Sequence, residues 1–112
     1  MLFRSDDTGR WILGPHPESR SEFPVTGVVD GVVVNGILDR LIVDDTGRVW
    51  VVDYKTSEHE GADGGEFLDE KMEFYRAQLD RYAVLIGAMR DVDPASIRRM
   101  LYFPLMREKR EW

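Results

Sequence analysis

The stretch GRVWVVDYKTSEH, from Gly47 to His59, carries four consecutive β-branched or aromatic residues, Val49 to Val52, and then Asp53, Tyr54 and Lys55 with no turn residue between. Residues of the first kind favour a buried strand. A buried strand that ends on an acid, an aromatic and a base is either leaving the core for solvent or delivering charge to a site. The flanking sequence decides what the two charges meet.

Upstream, Asp45-Thr46-Gly47 separates this run from a second apolar run, Val32 to Val43. Three such residues suit a hairpin loop built on a type I turn and closed by a glycine in the left-handed region. That loop sets the register: Asp44 faces Arg48, Val43 faces Val49, and Asp39 comes to lie opposite Asp53. Alternation then places Asp39, Asp53 and Lys55 on one face of the sheet and Trp50, Val52 and Tyr54 on the other. Two carboxylates directly across an antiparallel pair stand with Cβ atoms ~5 Å apart, a destabilising arrangement unless something compensates it. A hard divalent cation, magnesium or manganese, does so through oxygen ligands, and Lys55 points into the same space. The alternative is an ordinary salt-bridge cluster in which Asp39 pairs with Arg40 or Lys55.

Further out, strands are expected over Glu22 to Val29, Val32 to Val43 and Arg48 to Lys55, the first two joined by a tight turn at Asp30-Gly31. Leu68, Met72, Tyr75, Leu79, Tyr82 and Ile86 recur at spacings of 4, 3, 4, 3 and 4, which predicts a helix from Glu66 to Met89 with one buried stripe. The segment DVDPAS stops it, and IRRMLYFPLM reads as a final strand with Pro104 near its end. The tetrad Asp-Thr-Gly-Arg also occurs at residues 7–10, which predicts a second hairpin, from Leu2 to Leu13. The expected fold is α/β: a mixed sheet with an antiparallel meander, one long helix on one face and a final strand, in a single domain of residues 1–112.

The chain has 112 residues, 43% of them hydrophobic, enough for a core without covalent staples. It contains no cysteine, which excludes disulfides, zinc ribbons and thiol chemistry. No signal-peptide pattern and no uncharged run of membrane-spanning length is present, so a cytoplasmic protein with no membrane partner is expected. The net charge of −6 argues against a free-standing nucleic-acid binder. Much of it is local, because Ser57 to Glu73 holds seven acidic residues against one lysine, a solvated face in most proteins.

GILDR (Gly36 to Arg40), VVDYKTS (Val51 to Ser57) and QLDRY (Gln78 to Tyr82) resemble, in order and spacing, the G-x-x-D, D-x-K and Q-x-x-x-Y motifs of RecB-like nucleases in the PD-(D/E)XK superfamily. With LYFPL at Leu101 to Leu105, the likeness is to the C-terminal region of AddA-type, UvrD-like helicase-nucleases and spans nearly the whole chain. It implies a restriction-endonuclease-like fold and metal-dependent hydrolysis of DNA in double-strand-break repair and recombination. It also implies a magnesium or manganese cofactor, ATP used only by the motor domains of a parent protein, and a partner nuclease-helicase subunit. A catalytically silent, nuclease-like module that binds DNA or a partner is the second reading. A silent copy usually loses the strand acid or lysine, and Asp53 and Lys55 are both present.

Residue by residue, the resemblance makes Asp39 and Asp53 metal ligands, adds the backbone carbonyl of Tyr54, and makes Lys55 the catalytic base. Gln78 and Tyr82, one helical turn apart, are placed to reach DNA or to brace the catalytic strand. Glu22 resembles a first-strand glutamate of such domains, in a functional or a structural role. The family's further metal ligand, on an upstream helix, has no counterpart here. His16 and His59 both read as exposed loop residues without partners. The first core helix is therefore expected to be missing, and the isolated chain to fold yet cleave DNA poorly.

Overall fold

The structure, a computed structural model, describes residues 7–55, 64–105 and 107–112. Side chains are not described for residues 64–72 and 74; the expected stripe positions Leu68 and Met72 fall among these, and His59 lies outside the described residues. The elements run α1 (Asp7–Leu13), β1 (Glu18–Val29), β2 (Val32–Val43), β3 (Val49–Tyr54), α2 (Gly64–Arg90), β4 (Arg98–Phe103) and β5 (Glu108–Glu111), with a short 3-10 turn at Pro94–Ser96. All five strands form one sheet in sequential order. β1, β2 and β3 are an antiparallel meander, β4 lies parallel to β3 after the α2 crossover, and β5 returns antiparallel to β4.

Both turns of the meander follow from their residues. Asp30 and Gly31 have φ of 49° and 77°, the two left-handed positions of a type I′ turn whose twist matches that of the strands. At the second turn Gly47 has φ 82°. The carboxylate of Asp44 accepts hydrogen bonds from the Thr46 N–H (2.9 Å), the Thr46 hydroxyl (2.6 Å), the Arg48 N–H (3.0 Å) and the Trp50 indole (2.9 Å). Burial pulls the Asp44 carboxyl upward, yet these donors together hold it down at about 2.

The strip Val25, Val34, Leu38, Leu41, Val51, Leu101 and Phe103 on the sheet packs against Leu79, Tyr82, Ala83 and Ile86 of α2. Leu79 and Ile86 are fully buried, and each such side chain contributes about 1.5–3 kcal/mol relative to exposure. A second cluster fills the opposite face, where Ile12 of α1 meets Ile42, Val52, Met100 and Tyr102.

Two expectations are corrected. Residues 7–13 form a helix rather than an arm of a hairpin. Trp11-Ile12-Leu13 is too short an apolar run to make a strand before Gly14-Pro15, whereas one helical turn suffices to bury Ile12 and to set Trp11 edge-on to Trp50 at 5.0 Å. α1 therefore covers the face that α2 leaves open, and the sheet has a layer on each side. The strand at Arg98–Phe103 is also not the last one. β5 has the sequence EKRE, with no apolar alternation to announce it; it pairs as an edge strand, where charge is tolerated.

Candidate active site

The site forms where β2 and β3 diverge. Their ladder runs from Val43↔Val49 to Arg40↔Val52 and stops there, so the next opposed pair in that register is Asp39 and Asp53. The β1–β2 ladder is interrupted at the same level: Ser21 faces Arg40 and Phe23 faces Leu38, leaving Glu22 and Asp39 opposed but unpaired. Glu22 adopts φ 51°, a left-handed conformation that costs a non-glycine residue roughly 1–2 kcal/mol. The alternation of faces slips here as well. Leu38 and Leu41 are both fully buried against α2, although an odd separation should place them on opposite faces. Freed from the ladder, the Asp39 carboxylate accepts the Tyr54 N–H at 2.7 Å.

Asp53 is the buried charged side chain among the described residues, 6% exposed. Its Oδ2 lies 2.8 Å from Lys55 Nζ, and that ammonium sits 3.9 Å above the centroid of the Tyr75 ring on α2. Burial, reinforced by hydrogen-bonding contact with the Asp39 carboxyl, pushes Asp53 up to about 7 despite the opposing pull of Lys55. One lysine does not neutralise this carboxylate pair.

α2 closes the site from above. Gln78 Nε2 donates to the Tyr82 hydroxyl at 3.1 Å. Burial raises the Tyr82 phenol above its usual range, and the negative charge of Asp53 adds to that. The same hydroxyl reaches down onto β2 at Gly36, where a Cβ would lie 2.2 Å from it. The glycine of the first motif and the tyrosine of the third are therefore in contact, and any larger residue at position 36 would displace the phenol.

Five of the singled-out side chains thus converge: Asp39, Asp53, Lys55, Gln78 and Tyr82. Tyr54 contributes its backbone to the fork, while its ring lies on the α1 face, edge-on to Tyr102. Glu22 is exposed and has no hydrogen bond or ion pair among the described residues. The salt-bridge alternative for Asp39 does not form with Arg40, whose guanidinium instead binds the Ser21 hydroxyl (2.5 Å) and the Ile12 carbonyl (3.1 Å). His16 is not without a partner: its Nε2 lies 2.5 Å from the Trp11 carbonyl, and its ring packs edge-on to Trp11. Tyr75, read from the sequence only as a stripe residue, also serves as the platform under Lys55. The periodicity held no sign of that role.

Two adjacent, incompletely neutralised carboxylates are the donor set that a hard divalent cation prefers. The Tyr54 carbonyl points to the same strand edge as its N–H, as strand geometry requires. Among the described residues no group of three or more acidic or histidine side chains surrounds one point. A profile of the PD-(D/E)XK nuclease superfamily matches residues 8–111, and the chain belongs to that superfamily. A nucleic-acid substrate and a divalent metal are what this family typically uses. No curated protein matches the chain.

Proposed function

We propose that this chain is the nuclease domain of a cytoplasmic ATP-dependent helicase-nuclease of the AddA-like kind, hydrolysing DNA phosphodiester bonds in double-strand-break processing with magnesium or manganese. The observation that carries the reading is the under-neutralised Asp39–Asp53 pair, opened by a ladder break at one level of three strands and flanked by Lys55. Strain and perturbed acids together at one place are commoner at sites of chemistry than at surface salt bridges. In this reading Asp39, Asp53 and the Tyr54 carbonyl would hold the cation, and its charge would neutralise the pair and supply Lewis acidity to the scissile phosphate. Lys55, steadied by Tyr75 and Asp53, orients the attacking water and offsets negative charge on the phosphate as the bond breaks. Gln78 and Tyr82 brace β2 against α2, so that Asp39 keeps its place. Motor domains and a partner subunit would supply ATP-driven movement and the positive charge that DNA requires beside a chain of net charge −6.

Two measurements test this. Calorimetric titration of the chain with manganese should show one cation bound with release of protons, and Asp53→Ala should abolish the signal. In the protein that carries this domain, Asp53→Ala or Lys55→Ala should stop cleavage of linear DNA while ATP hydrolysis persists. Cation binding and cleavage unaffected by Asp53→Ala would overturn the assignment.

A further inference from the structure

Lys55 is anchored at both ends. Its backbone N–H donates to the Tyr102 carbonyl at 2.8 Å, which fixes the chain just past the end of β3. Its ammonium meets Asp53 Oδ2 at 2.8 Å and the face of the Tyr75 ring at 3.9 Å from the centroid. With only 19% of the side chain exposed, little water shares that charge, so both contacts count for more than they would on an open surface. Tyr75 stands three residues before Gln78 and seven before Tyr82, a spacing that brings all three to one face of α2. Its ring is partly buried against the cluster that Leu79, Tyr82 and Ile86 share with the sheet, which gives the platform a fixed place.

The two partners of the ammonium differ in what a divalent cation at the carboxylate pair does to them. Asp53 is contested, because the carboxylate that faces Lys55 is also one of the two assigned to the cation. Two positive centres beside one carboxylate repel each other, and a lysine anchored there alone would swing its flexible stem towards solvent. The Tyr75 ring is not contested. Its face offers no oxygen for a hard cation to take, while its quadrupole goes on attracting an ammonium.

From these observations we infer that Tyr75 is a positioning residue that retains Lys55 in the site when a divalent cation engages Asp53. The inference rests on the nuclease reading above and adds to it the group that keeps the lysine in place once its carboxylate partner is drawn away. The aromatic face carries this role and the hydroxyl does not. Tyr75 acts through Lys55, without touching the reacting atoms.

The test follows Lys55 by NMR in the whole chain, isotopically labelled at lysine Cε. The chain has three lysines, and Lys55→Arg identifies the Lys55 signal. Protons above a ring face are shielded, so the Lys55 Hε signal should lie upfield of the other two in wild type. Carbon relaxation at the same position reports how tightly the side chain is held. With saturating magnesium, wild type and Tyr75→Phe should keep the upfield shift and a restricted Lys55. Tyr75→Leu, which preserves the apolar stripe of α2, should hold Lys55 only without magnesium and leave it as mobile as a free lysine once the ion is added. Asp53→Ala without metal removes the carboxylate partner directly, and there too Lys55 should stay upfield. In the protein that carries this domain, Tyr75→Leu should lower kcat roughly tenfold with KM for DNA unchanged, and Tyr75→Phe should recover it. A Lys55 signal that is not upfield in wild type, a Lys55 still restricted in magnesium-loaded Tyr75→Leu, or a Tyr75→Phe that behaves as Tyr75→Leu would overturn the role. If magnesium binds and Lys55 then leaves the ring, the retention fails and the nuclease reading stands. If magnesium binds nowhere on the chain while Lys55 stays upfield in Asp53→Ala, the nuclease reading fails and the Tyr75 contact alone survives.

Discussion

Replacing Gly36 by alanine tests whether the first and third motifs are physically joined. The new methyl carbon would stand 2.2 Å from the Tyr82 hydroxyl oxygen and 3.2 Å from Cζ. Ordinary contact begins at about 3.4 Å, so oxygen and methyl must separate by roughly 1 Å. Tyr82 is 4% exposed and packed among Leu38, Leu79 and Ile86, so neither the ring nor β2 moves freely. Overpacking of this kind costs about 1–3 kcal/mol, and loss of the Gln78 hydrogen bond adds about 1 kcal/mol. The expected destabilisation is therefore about 2–4 kcal/mol, a fall in melting temperature of roughly 10 °C or more for a chain of this size. Urea denaturation followed by tryptophan fluorescence measures it.

A double-mutant cycle separates this clash from a generic loss of backbone freedom. Tyr82→Phe alone should cost about 1 kcal/mol, for the lost hydrogen bond. In the Gly36→Ala background the same change removes the clashing atom and should recover about 1 kcal/mol, giving a coupling of about 2 kcal/mol. Recovery stays partial because Cζ remains close. Additive costs in the two backgrounds would refute the contact.

The metal-free chain should lose stability as pH rises from 5 to 7.5. Asp53, raised to about 7 in the folded state, keeps a proton there that the unfolded chain has already released, so its contribution is whole below about 4 and is lost as pH passes 7, by at most about 1.4 kcal/mol per unit. Asp53→Asn should flatten that slope in urea melts at pH 5 and 7.5, and an unchanged slope would show that another group is responsible. Saturating magnesium or manganese should counter the loss at pH 7.5, by about 2.7 kcal/mol when the cation stands at 100 times its dissociation constant; a melting temperature indifferent to the ion speaks against a site there. Asp44→Ala should destabilise by about 1–3 kcal/mol, since it strands donors at the Thr46 and Arg48 amides and the Trp50 indole. A Trp50 environment and stability identical to wild type would show that the loop does not depend on the carboxylate.

Local chemistry carried much of the outcome in the linear sequence. The Asp30-Gly31 turn, the loop closed by Gly47, the register that follows from it and the stripe of α2 are each set by neighbours within a few residues, so they could be read without a partner element. That register is also why Asp39 and Asp53 could be paired in advance. Tertiary structure decided the rest. Asp-Thr-Gly-Arg is a hairpin loop at residues 45–48 and part of a helix at 7–10. The first has strands on both sides and the Asp44 carboxylate to gather its amides, while the second has an open sheet face on which Ile12 can be buried. β5 exists because β4 offers an edge to pair with, not because EKRE favours a strand. The slip of alternation at Glu22 and Asp39 has no signature in the pattern, since it arises only when β1, β2 and β3 are laid side by side and the ladder opens at one level. That opening brings two opposed aspartates together, and the missing side chain at Gly36 leaves room for the hydroxyl of a tyrosine forty-six residues later in the chain.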